Sequence, residues 1–92
     1  MPYITQEQRD RIDFEIDALS KKLVRETNIG EYNYAITKLL HNYIKEVGLK
    51  YRHLNNVVGV LECAKAEFIR TVVSPYEQNK LNQNNSVSDL DR

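Results

Sequence analysis

An all-α fold is what this sequence predicts, and three observations carry it. Apolar residues recur at steps of three and four along three long stretches, Ile12 to Leu23, Tyr32 to Val47 and Leu54 to Val72. No stretch alternates apolar and polar residues with the period of a strand. Glycine, proline and small polar residues cluster between the periodic stretches, at Thr27–Gly30, around Gly48 and at Ser74–Pro75. The expected architecture is a long N-terminal helix, a central antiparallel helical hairpin and a short C-terminal helix, assembled into a homo-oligomer. Residues 1–81 form one helical domain, and residues 82–92 form a disordered polar tail.

Pro2, Tyr3 and Ile4 make a short apolar lead-in to the first helix. Thr5 follows as N-cap, with Gln8 three residues on, the spacing of a capping box. The helix therefore starts at about Gln6. Its apolar residues Ile12, Ile16, Leu19 and Leu23 follow heptad-like steps, flanked by Phe14 and Val24, so one narrow stripe packs while the rest stays charged. Glu7, Asp10 and Asp13 in the first turns and Lys21, Lys22 and Arg25 in the last suit the helix dipole. Thr27, Asn28, Ile29 and Gly30 end the pattern, and Gly30 is able to take the positive φ that a helix terminus often needs.

The second helix runs from about Glu31 to Val47. Tyr32, Ala35, Ile36, Leu39, Leu40, Tyr43, Ile44 and Val47 give it an almost unbroken i, i+3, i+4, i+7 series. Gly48 follows the last periodic residue, and Leu49 after it offers the apolar contact of a Schellman end. Lys50 to His53 is then a tight reversal, which makes the second and third helices antiparallel neighbours.

The third helix, from Leu54 to about Val73, is the one around which the chain is organised. Leu54, Val57, Leu61, Ala64, Phe68 and Val72 build a continuous face, and Val58, Val60 and Ile69 widen it to about half the circumference. That is more than one neighbouring helix needs. Gly59, Cys63 and Ala66 lie on the far side with Arg70, and side chains this small let a second backbone approach closely. Val58, Gly59, Cys63, Ala66 and Ile69 are the expected oligomer interface; a solvated face of small residues is the plain alternative. Ser74 as N-cap, Pro75 at the first helical position and Glu77 at the third mark a separate short helix, although Pro75 can instead kink one continuous helix. From Asn82 onward only Val87 and Leu90 are aliphatic, too little apolar surface to offset the entropy of ordering.

A chain of 92 residues holds a thin core at best, and oligomerisation is the expected supplement. Thirteen Lys plus Arg balance thirteen Asp plus Glu, which argues against a general nucleic-acid binder. Cys63 is the only cysteine, so there is neither an internal disulfide nor a multi-cysteine metal site. No apolar run is long enough to span a bilayer and no secretion signal is visible, so a soluble protein of a reducing cytoplasm is expected.

Projected at 100° per residue, Tyr34, Lys38, His41 and Lys45 fall together on the face of the second helix opposite its apolar series. A ring for stacking, two ammonium groups and an imidazole are what an anionic nucleotide ligand requires; lysines on a solvated face are the plain alternative. His41, His53, Glu62 and Cys63 have no recognised metal-motif spacing, so neither a metal nor another cofactor is expected. Glu62 and Glu67 are five apart and share no helix face, which removes the simplest acid–base pair. No phosphate loop, nucleophile elbow or dinucleotide fingerprint is present, and the protein is read as no enzyme. A helix-turn-helix made of the second and third helices would present Glu62 and Glu67 against Lys65 and Arg70, a charge-balanced and therefore poor reading helix for DNA.

The stretch from Tyr34 to Glu77 resembles a small all-helical family of unassigned activity found in tailed phages and prophages. The similar elements are Ile36-Thr37, Asn42-Tyr43-Ile44-Lys45, Gly48-Leu49 with Tyr51, Leu54-Asn55 with Val57, Gly59-Val60-Leu61-Glu62-Cys63, Glu67-Phe68 with Arg70, and Val72-Val73 with Pro75-Tyr76-Glu77. Pro2-Tyr3-Ile4 is similar too. Ile69 and Thr71 depart from it, standing where a more aromatic and basic pair would be expected. The resemblance implies a phage or prophage origin and an accessory role in an infected bacterium. With the site residues above, it leads to the expectation of a counter-defence protein that sequesters a nucleotide-derived immune signal of the cyclic oligonucleotide class. Tyr34 would stack on a base, Lys38, Lys45 and Arg70 would contact phosphate, and His41 would donate a hydrogen bond. The competing expectation is an adaptor or inhibitor that holds a host or phage protein through its helical faces.

Overall fold

The computed structural model describes residues 4–23, 29–84 and 87–91. All of its regular elements are helical: α1 (Gln6–Leu23), α2 (Ile29–Val47), α3 (Tyr51–Phe68), a π turn (Ile69–Val73), α4 (Ser74–Asn84) and a 3-10 turn (Asp89–Asp91). The chain divides into two compact units, Met1–Tyr43 and Ile44–Arg92. α1 has 18 residues against 19 in α2 and 18 in α3, so the N-terminal helix expected to be long is no longer than its successors. Among the described residues none is buried.

In the first unit, α1 begins where the sequence places it. The Gln8 amide N–H donates to Thr5 Oγ1 at 3.1 Å and the Thr5 N–H donates to Gln8 Oε1 at 2.9 Å. These two bonds satisfy two groups that a helix start otherwise leaves bare. The expected stripe is only half covered: Ile12, Ile16 and Leu19 remain exposed while Leu23 is half-buried. Thr27 and Asn28 lie outside the described residues. Gly30 is the second residue of α2, within the first helical turn, and so does not serve as the terminator its chemistry allowed.

Gly48 does serve as one. With φ at +104° it takes the left-handed region that suits a residue without Cβ, and its N–H donates to the Ile44 carbonyl at 2.8 Å. That single bond is the αL way of ending a helix. The apolar contact expected of Leu49 is absent, since Leu49 is 78% exposed. The Gly48 carbonyl accepts from the Lys50 N–H at 3.1 Å and from His53 Nδ1 at 2.8 Å, while Arg52 Nε donates to His53 Nε2 at 3.3 Å. This imidazole ties the first turn of α3 to the turn before it. α3 therefore starts at Tyr51 rather than Leu54, with Lys50 extended (φ −133°, ψ 151°) as an N-cap that offers no side-chain bond.

The largest departure is at Pro75. Ser74 is not an N-cap: its backbone is right-handed helical (φ −64°, ψ −45°) and its N–H donates to the Ile69 carbonyl. The helical backbone runs unbroken from Tyr51 to Asn84, with five residues of π turn between 18 of α3 and 11 of α4. The reason is local. Pro75 has no N–H for the Thr71 carbonyl, and its ring presses on that carbonyl, so the preceding turn widens to an i→i−5 loop. Thr71 Oγ1 donates to the Glu67 carbonyl at 2.8 Å, and Arg70 pairs with the Glu67 carboxylate, both bracing the widened turn. α4 extends to Asn84, three residues past the boundary expected at Leu81. In the 3-10 turn beyond it the Leu90 N–H donates to Ser88 Oγ at 3.2 Å, and Val87 and Leu90 are fully exposed.

Candidate functional site

A concavity lies in the first unit. Leu19 and Leu23 of α1 form one wall, and Gly30, Glu31, Tyr34, Ala35, Lys38 and Leu39 of α2 form the other, enclosing a groove of about 460 Å³. Positions 31, 34, 35 and 38 sit at steps of three, one and three, which is a single stripe of helix surface. Gly30, with no side chain, leaves the near end of the groove open. Leu19, Leu23, Ala35 and Leu39 give it an apolar floor, and the Glu31 carboxylate, the Tyr34 phenol and the Lys38 ammonium supply the polar groups. A volume of this size is within the roughly 300–1,000 Å³ of small-molecule sites, which commonly combine an apolar lining with a few polar groups that fix orientation.

Two of the five sequence-predicted ligand residues meet here. Tyr34 and Lys38 share the groove with Ala35 and Leu39, so they stand beside apolar positions of α2 and not opposite them. Tyr34 is 67% exposed. His41 and Lys45 follow on α2, both exposed, and neither lines the groove. Lys45 and Arg70 belong to the second unit, and Arg70 has Glu67 as its partner. The sequence reading missed Leu19, Leu23, Gly30, Glu31 and Leu39 as site residues. The leucines read as packing residues, and nothing in the sequence marks this face as open.

The predicted interface residues Val58, Gly59, Cys63, Ala66 and Ile69 are all exposed. A Cβ built on Gly59 would meet nothing within 4 Å, and Cys63 is a free, exposed thiol. Among the described residues no group of three or more His, Cys, Asp or Glu converges on a point. No helix among them is long and apolar enough to cross a membrane.

Neither a curated protein nor a solved structure matches the sequence. A family model matches residues 1–87, nearly the whole chain. The chain belongs to that family, described as a domain of unknown function, DUF6899.

Proposed function

We propose that this chain is a non-enzymatic binding protein of phage origin that acts as a homo-oligomer in the bacterial cytoplasm. It sequesters a small anionic ligand with a flat ring, the chemistry of a nucleotide-derived immune signal such as a cyclic oligonucleotide. The observation that carries this reading is the groove, which sets Tyr34 and Lys38 over one apolar floor. The floor takes the ring out of water, Tyr34 stacks on it, Glu31 accepts from an exocyclic amine and Lys38 neutralises a phosphate. His41 and Lys45 extend the cationic strip along α2, and Arg70 joins it from another copy after exchanging Glu67 for phosphate. In this reading Val58, Gly59, Cys63, Ala66 and Ile69 pack against a neighbouring copy.

A second reading rests on a different observation. Val58, Leu61, Phe68 and Val72 of the α3 and π-turn segment are all exposed, an apolar surface that a host or phage protein could cover in place of a second copy. That chain would be an adaptor or inhibitor. Native mass spectrometry of the protein purified from bacteria separates the two. A defined oligomer carrying nucleotide-sized extra mass, lost on denaturation, is the expected result. A protein partner with no small molecule, even after incubation with cyclic nucleotides, overturns sequestration and favours the adaptor. Lys38→Ala with Lys45→Ala should lower ligand affinity by more than about tenfold while leaving the oligomer intact, because charge-assisted phosphate contacts are each worth about 1.5–3 kcal/mol; unchanged affinity removes the site assignment.

A further inference from the structure

We propose that α1 is a pairing element, its apolar stripe docking antiparallel on the same stripe of a second copy of this chain. The proposal deepens the reading of the chain as a homo-oligomer and rests on that reading; it requires no ligand.

The chain itself leaves the stripe open. Ile12, Ile16 and Leu19 are 39%, 50% and 39% exposed, and Leu23 is half-buried. Steps of four, three and four make the narrow seam of a two-helix pair, not the wider face that a globular core covers. The same steps read alike in both directions along the helix. An antiparallel copy therefore sets Ile16 opposite Leu19 and Ile12 opposite Leu23 in a single register, with an aliphatic side chain at every level from both copies.

Charge selects the second copy and its direction. Over residues 7–17, α1 carries five acids, Glu7, Asp10, Asp13, Glu15 and Asp17, against Arg9 and Arg11, a net charge of −3. Over residues 18–23 it carries Lys21 and Lys22 and no acid, a net charge of +2. A parallel copy would lay acidic half on acidic half. An antiparallel copy lays acidic on basic and opposes the two helix dipoles.

Beside the seam the match is residue by residue. Projected at 100° per residue, Glu15 and Lys22 fall along one edge of the stripe, Asp13 and Ser20 along the other. In the antiparallel register Glu15 faces Lys22 of the second copy and Asp13 faces its Ser20, each contact made twice by symmetry. Among the described residues, neither Glu15 nor Lys22 forms an ion pair within its own chain. A patch that complements itself in this way closes into a two-fold pair. Leu19 and Leu23 also wall the groove beside α2, so pairing adds Ile12 and Ile16 of the second copy to that apolar wall.

Charge exchange tests the pairing, at two exposed positions where folding is not at risk. Glu15→Lys alone sets ammonium against ammonium at both contacts, and Lys22→Glu alone sets carboxylate against carboxylate. Each variant should self-associate about tenfold more weakly in equilibrium sedimentation at low salt, and an equal mixture of the two should recover the original affinity, because every mixed contact joins opposite charges. Chains carrying Cys63→Ser report the direction. Under mild oxidation, Ile16→Cys mixed with Leu19→Cys should give a disulfide-linked dimer. Ile12→Cys alone should give none, since antiparallel pairing holds its two thiols about 16 Å apart along the axis, beyond the reach of a disulfide. No recovery in the mixture, a disulfide between Ile12→Cys chains, or no link between Ile16→Cys and Leu19→Cys chains of native helicity overturns the proposal. If the chain still assembles in any of those cases, the homo-oligomer stands without this interface; a monomer at every concentration removes both.

Discussion

The Gly48 carbonyl shows how single residues decide this backbone. It accepts from both the Lys50 amide and the His53 ring, on a residue whose positive φ other side chains rarely tolerate. A Cβ at Gly48 would meet no atom within 4 Å, so Gly48→Ala should destabilise through backbone conformation alone, by about 1 kcal/mol or more. Thermal unfolding followed by circular dichroism measures it, and an unchanged midpoint would refute the assignment. His53→Ala should cost about 1 kcal/mol or more by removing the bond to the Gly48 carbonyl and the contact with Arg52. Thr5→Ala should cost a similar amount by dissolving the capping box, with fraying confined to the first turn of α1; amide exchange there reads the difference. Thr5 and Gln8 were legible in the sequence because their chemistry is local and reciprocal. The capping role of His53 was not, since it depends on an α3 start that no Ser, Thr, Asp or Asn announces.

At the scale of elements, the helical period placed α1, α2 and most of α3, because nothing local competes with it. The segment Ser74-Pro75-Tyr76-Glu77 misled for an instructive reason. As a tetrapeptide it has the composition of a helix start, but the helix arriving from Phe68 is already propagating, and one wide turn accommodates the proline without a stop. Ser74 is thereby held in a helical conformation that a residue before proline normally avoids. Pro75→Ala should remove both penalties, raising stability by up to about 3 kcal/mol and slowing amide exchange across Ile69–Ser74. If exchange there stays as fast as before, Pro75 is not the cause of the π turn. The groove was partly legible: Tyr34 and Lys38 were found by projecting α2. Its α1 wall was not, because a leucine stripe reads the same whether it is covered or open.

For the whole molecule, the decisive fact is that no described residue is buried. Helices of 18 or 19 residues are marginal by themselves in water, and their apolar faces stabilise them only when covered. With a second copy as the cover, the unfolding midpoint should rise with protein concentration, by several degrees over a hundredfold range. A midpoint independent of concentration would mean that no assembly contributes. In the proposed oligomer, Gly59→Leu, on the open side of α3, should lower the assembly's mass while keeping helicity, whereas Gly59→Ala should stabilise the helix by roughly 0.5–1 kcal/mol.

The same exposure bears on how long the protein lasts in a cell. A chain whose leucines, valines and tyrosines are covered only by company presents unprotected helices whenever it is scarce, and proteases act on such open forms in proportion to their population. Its half-life would then lengthen as its own copy number rises. Molecules made in a burst would persist, and a trace left by leaky expression would be cleared, giving a threshold in abundance without any dedicated regulator.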